Sequence, residues 1–138
     1  MTSTSVIGIL DSRVASLLGI TLMTREVLLH NDVREHITVR RALVPEDVEF
    51  VFDHLAATVS QPTWVATQAP DPLRIQLVHV VGDTERALHV AVKVIRPVYT
   101  GIHTDELWVS TAFPVGRRSL TRMLRTDRFL RVNWEASS

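Results

Sequence analysis

ERALHVAVKVI, residues 85–95, decides the fold. Leu88, Val90, Val92 and Val94 alternate with His89, Ala91 and Lys93, a period of two that puts the aliphatic set on one face of a strand. One face therefore belongs to a core, and the other stands at least partly open. TWVATQ (63–68), RIQLVHVV (74–81) and ELWVSTAFPV (106–115) share its β-branched and aromatic character. APDP, GDT and YTGIHTD punctuate them as turns, and connections this short make the neighbours antiparallel. RFLRVNW (128–134) reads as a last strand or an extended tail.

Upstream of residue 60 the pattern is helical. Gly19 closes a short helix that starts near Ser12, and Thr24 caps a second that runs to Thr38 or Arg40. Pro45, Glu46 and Asp47 make a good first turn for a third helix over about 45–57, because proline lacks only an N–H that would be unpaired there and the carboxylates face the positive helix end. Val48, Val51, Phe52 and Leu55 give that helix its apolar stripe. Ser119 caps a further short helix over about 119–126. The expectation is an α+β domain, N-terminal helices followed by a four- to five-stranded antiparallel sheet, with all 138 residues in one domain.

Composition narrows the function. The chain is 46% hydrophobic and has no cysteine, which excludes disulfides and thiolate metal sites and suits a reducing, cytoplasmic setting. Asp11 and Arg13 interrupt the apolar N-terminus, so neither a secretory signal nor a membrane span is expected. Net charge is zero, yet residues 117–138 hold six arginines against Asp127 and Glu135, a local +4 balanced by −4 in the preceding 116 residues. Such a basic segment guides a polyanion or forms a solvated helix face.

The second helix carries two histidines. On a wheel of ~100° per residue, Leu29, Val33 and Ile37 define its inner stripe, with His36 about 20° to one side and His30 at its other margin. Arg40 lies one turn beyond His36. Burying such groups without partners costs several kcal/mol, so either the sheet satisfies them or a pocket opens there. Six residues apart, the histidines do not form a helical zinc grip, and no H-E-x-x-H, Gly-rich phosphate loop or G-x-S-x-G elbow is present. No metal or other cofactor is expected.

What remains is histidine, arginine, lysine and the hydroxyls of VSTAFP (109–114), a set suited to cleaving a phosphodiester without metal. Histidine moves protons to and from the ribose 2′-oxygen and the leaving group, while cations and hydroxyls stabilise the pentacovalent anion. Ser110 and Thr111 should alternate faces, so that only one reaches the site. Trp108 shares a face with Ser110, either to pack or to stack a base. The helix bearing His36 packs on the apolar sheet face, whereas Lys93 and Ser110 leave by the other. Uniting them requires the helix end to reach round the sheet edge.

VIGILDSRVASLLGI, LMTREVLLHNDVREH, a helix, strands ending in LHVAVKV, and LWVSTAFP resemble, over roughly residues 6–115, the phage-borne relatives of the barnase, EndoU, colicin and RelE (BECR) nucleases. That resemblance implies a metal-independent ribonuclease, a toxin or phage-type effector cleaving tRNA or other RNA to a 2′,3′-cyclic phosphate, with an immunity or antitoxin protein as partner. It makes His36 the helix histidine, His30 its upstream partner, Ser110 or Thr111 the sheet hydroxyl and Lys93 the basic strand residue. Phe113 stands where relatives commonly have tyrosine, so no phenol is available. Arg40 completes the expected catalytic group, and Arg117, Arg118, Arg122 and Trp108 the RNA-binding rim. Two other readings compete: an RNA- or protein-binding module without catalysis on the same fold, and an interaction or immunity-type protein with no nucleic-acid role.

Overall fold

The computed structural model describes residues 4–40, 44–68, 71–82, 86–96, 98–103, 105–126 and 128–134. In chain order its elements are β1 (Thr4–Ile9), α1 (Ser12–Leu18), β2 (Glu26–His30), α2 (Asn31–Arg40), α3 (Pro45–Ser60), β3 (Trp64–Gln68) and β4 (Asp71–Val80). There follow β5 (Arg86–Ile95), β6 (Val98–Tyr99), β7 (Ile102–His103), β8 (Glu106–Gly116), α4 (Arg117–Thr126) and β9 (Leu130–Arg131). Seven strands form one sheet in the order β1-β2-β8-β5-β4-β3-β9, and β6 and β7 pair separately.

The α+β class expected from the sequence is present, with three corrections, the first being that the sheet has seven strands where four to five were expected. A strand, β1, comes first, and β2 occupies residues 26–30 where a helix was expected. The sheet is also mixed: β2 runs parallel to β8, joining Val27 to Leu107 and Leu28 to Trp108, while its other pairings are antiparallel. EVLLH forms a strand because Val27 and Leu29, two apart, are 0% and 1% exposed on the core face, while Leu28 and His30 face the other way.

Local chemistry sets the helices. Asp11 accepts the Arg13 N–H at 2.8 Å to cap α1, and Gly19 ends it in the left-handed region at φ 69°, where a side chain would be strained. Pro45 opens α3, whose Asp47 pairs with Arg86 at 2.6 Å and ties the helix to the start of β5. Gly8 lets β1 lie against the end of α3: a Cβ there would meet Ser60 Oγ and Val59 Cγ1 at 3.0 Å.

Three helices cover one face of the sheet. Leu10, Val14, Ile37, Val51, Leu55 and Val59 pack on Leu29, Ile75, Leu77, Leu107 and the alternating residues of β5. Leu88, Val90, Val92 and Val94 are 0–3% exposed and Lys93 is exposed, as the period of two requires. Burying a Leu or Val side chain stabilises by roughly 1.5–3 kcal/mol, which makes this layer the main source of stability. On the opposite face α4 covers only one end: Leu120, Met123, Leu124 and Phe129 pack on Ala66, Val78, Val80 and Ala87. The remainder of that face has no helix over it among the described residues.

Candidate functional site on the open half of the sheet

Directly paired residues share a face, so the register locates the open surface. Lys93 pairs with Trp108 on one side and Arg74 on the other, and Trp108 pairs with Leu28. Arg74, Lys93, Trp108 and Leu28 therefore form one row across four strands. A second row holds Gln76, Ala91 and Thr111, and the parallel run of β2 beside β8 brings His30 level with Ser110.

A β-bulge lies at Ser110, where Ala91 pairs with Thr111 but Val92 pairs with Val109. The extra residue breaks the alternation, so Ser110 and Thr111 are both half-buried on the open side while Val109 and Ala112 face the core. The expectation that only one of them faces the site is thereby corrected. The Ser110 hydroxyl donates to the Ala91 carbonyl at 3.2 Å.

His30 ends β2 rather than lying inside a helix. Its ring meets the Trp108 indole at 5.9 Å between centroids and 55° between planes. Nδ1 accepts the Asp32 N–H from the first turn of α2 at 3.2 Å, and the Asp32 carboxylate lies 3.6 Å away. A neutral ring accepting at Nδ1 carries its proton on Nε2. The side chain stays 24% exposed, open enough for a ligand to reach. Trp108 is anchored in its own right: its Nε1–H donates to Glu106 Oε2 at 2.8 Å.

Two like charges sit side by side on this surface. Lys93 and Arg74 are direct cross-strand partners, and both are exposed. Deeper in the same face, His89 is 6% exposed, stacks on Phe113 at 4.6 Å and donates Nε2–H to Gln76 Oε1 at 3.1 Å. Beyond it, α4 presents Arg117, Arg118 and Arg122 as exposed residues along the rim.

His36 is placed elsewhere. It lies half-buried on α2, which packs through Ile37 and Val33 on the helix-covered face. The sheet thus stands between His36 and Lys93, Trp108, Ser110 and Thr111. Its ring makes no hydrogen bond or ion pair with a described residue. Arg40 closes α2, and its side chain lies outside the described part of the structure. His79 pairs with Leu88 and His89 with Val78, which sends the two imidazoles to opposite faces. Among the described residues no group of three or more His, Asp or Glu side chains is arranged to hold a metal ion.

The structure thus brings together His30, Trp108, Lys93, Ser110 and Thr111 from the expected set and separates His36 from them. Glu106 and Arg74 join the site without having been singled out in the sequence. Glu106 was available as the residue two before Trp108 on one strand face, and Arg74 as the partner of Lys93 once the hairpin register is known. No helix among the described residues is long and apolar enough to cross a membrane. No family model, curated protein or solved structure matches the chain.

Proposed function

We propose that the protein binds RNA on the open half of its sheet and cleaves it without a metal ion, with His30 as the proton donor. The observation that carries this reading is the convergence, on the part of the sheet that no helix covers among the described residues, of an imidazole against an indole and two adjacent cations. Aromatic rings stack on unpaired bases, and paired cations on a flat face suit successive phosphates.

In that reading a ribose 2′-oxygen gives its proton to a solvent water and attacks the neighbouring phosphorus, the bond to the 5′-oxygen breaks, and a 2′,3′-cyclic phosphate and a 5′-hydroxyl result. Protonated His30, its Nδ1–H turned to the Asp32 carboxylate, gives the Nε2 proton to the leaving 5′-oxygen. Lys93 and Arg74 stabilise the charge that grows on the equatorial phosphoryl oxygens. Arg117, Arg118 and Arg122 extend the electrostatic track, adding affinity without reading sequence. The role is that of a BECR-like toxin or phage-type effector in the cytoplasm, acting on tRNA or other RNA and held in check by an immunity or antitoxin protein.

One observation favours the alternative, an RNA-binding module that does not cut. With Nδ1 engaged by the Asp32 amide, neutral His30 points an N–H outward and offers no lone pair to take the 2′-proton. Incubation of the protein with total tRNA in EDTA separates the two. Cleavage by wild type, lost in His30→Ala and kept in His36→Ala, supports the nuclease. RNA retained on a filter yet left intact supports the binding module. Toxicity of wild type but not His30→Ala on expression in cells tests the effector role.

A further inference from the structure

Glu106 is a carboxylate on a surface read as anion-binding, an arrangement electrostatics alone disfavours. Two residues before Trp108, it is half-buried on the same face of β8. Around it stand Ile95, its direct partner on β5, and Glu26, which the parallel register places level with it on β2. Lys93 lies one step along the β5 face from Ile95. The described bond it makes is to the indole, Trp108 Nε1–H donating to Oε2 at 2.8 Å.

We infer that Glu106 is a positioning residue, fixing the Trp108 indole so that it keeps its tilted contact with His30 and presents a π-face to a stacked base. This rests on the RNA-binding reading above. An indole on a strand has two soft torsions, and its N–H is the single polar handle by which the ring can be held in one orientation. The His30 ring, 5.9 Å away and tilted by 55°, fixes the second boundary. His30 is in turn held by the Asp32 N–H, so each of the two touching rings has a polar anchor.

A consequence for specificity follows. Tryptophan has one hydrogen-bond donor and no acceptor, and Glu106 already engages that donor. Trp108 therefore offers a ligand its flat surface only. It reads the planarity of a base and not its edge, so affinity for single-stranded RNA should follow stacking strength, with oligoadenylate above oligouridylate, and duplex RNA of equal length should gain nothing from the indole.

The test compares Glu106→Ala and Glu106→Gln, with two readouts: the Trp108 indole N–H resonance, assigned through Trp108→Phe, and the affinity for a short fluorescent oligoadenylate. Positioning predicts that Glu106→Ala displaces or broadens the resonance and weakens binding about fivefold or more, while Glu106→Gln, which keeps an acceptor, restores both. A purely electrostatic role predicts the opposite sign, since deleting a negative charge from an anion-binding face tightens both variants. Tighter binding by Glu106→Ala, or an indole resonance that ignores the substitution, overturns the inference. If wild type binds no RNA at all, the functional reading fails, while the resonance still decides whether Glu106 holds the ring.

Discussion

Lys93→Gln should make the protein more stable and worse at binding RNA. Lys93 and Arg74 are direct partners between β5 and β4, which sets their Cβ atoms about 4.5–5.5 Å apart, and like charges so placed cost roughly 0.2–1 kcal/mol. Glutamine keeps the length and polarity of the side chain while removing the charge. In a chain of 138 residues that relief corresponds to a rise in Tm of roughly 1–4 °C, and it should shrink as salt screens the repulsion. RNA reverses the sign, because each phosphate neutralised on a single strand contributes about 0.7 to the slope of log affinity against log salt. Losing one such contact lowers the slope by about that amount, equivalent to roughly a 2.6-fold smaller change in affinity over a fourfold change in salt. Differential scanning fluorimetry at low and high salt, beside anisotropy titrations of labelled oligoadenylate over the same series, measures both arms. A variant that melts lower than wild type refutes the repulsion between the two neighbours, and one that binds with an unchanged salt slope refutes the phosphate contact at Lys93.

Trp108→Ala should weaken single-stranded RNA binding by about 1–3 kcal/mol while leaving the salt slope intact, as anisotropy over the same salt series will report. Asp105→Ala should destabilise by about 1–3 kcal/mol in urea melts and speed exchange of the Met23 amide, because the 3%-exposed carboxylate accepts that N–H at 2.7 Å and lies 3.6 Å from Arg96. Gly8→Ala should cost about 1–3 kcal/mol, read by the same melts, since the added methyl must displace Val59 or Ser60 of α3. Nitrogen chemical shifts of neutral His30 should show a bare Nδ1 and a protonated Nε2; the opposite tautomer would remove the Asp32 contact from the account.

Features stated by local chemistry were legible in the sequence. Asp11 and Gly19 bracket α1, Pro45 starts α3, and β3, β4, β5 and β8 show themselves by composition and alternation close to their observed bounds. EVLLH was not legible, because Leu29, Val33 and Ile37 fit the helical period as readily as Val27 and Leu29 fit the strand period. Five residues are too few to separate the two. What decided for a strand was β8, some eighty positions away, whose Leu107 layer accepts Val27 in a parallel pairing that leaves no local trace.

The same ambiguity governs where the candidate site lies. Read as helical, His30 and His36 share an element; with β2 ending at His30, the chain turns into α2 and the two histidines go to opposite sides of the sheet. The bulge at Ser110 was hidden for a similar reason, since β-branched and small residues run through VSTA without a glycine to mark it. Face parity alone separates His36 from Lys93 and Ser110. His30, carried by the sheet, lies on their side of it, level with Ser110.

The most direct measurement of the central claim is a chemical-shift titration of isotope-labelled protein with a short 2′-O-methyl oligoadenylate, which resists cleavage. The account predicts perturbations at His30, Lys93, the Trp108 indole and Thr111, with His36, Ile37 and α3 unmoved. Shifts centred on His36 and the helix-covered face, with the Trp108 indole still, would contradict it.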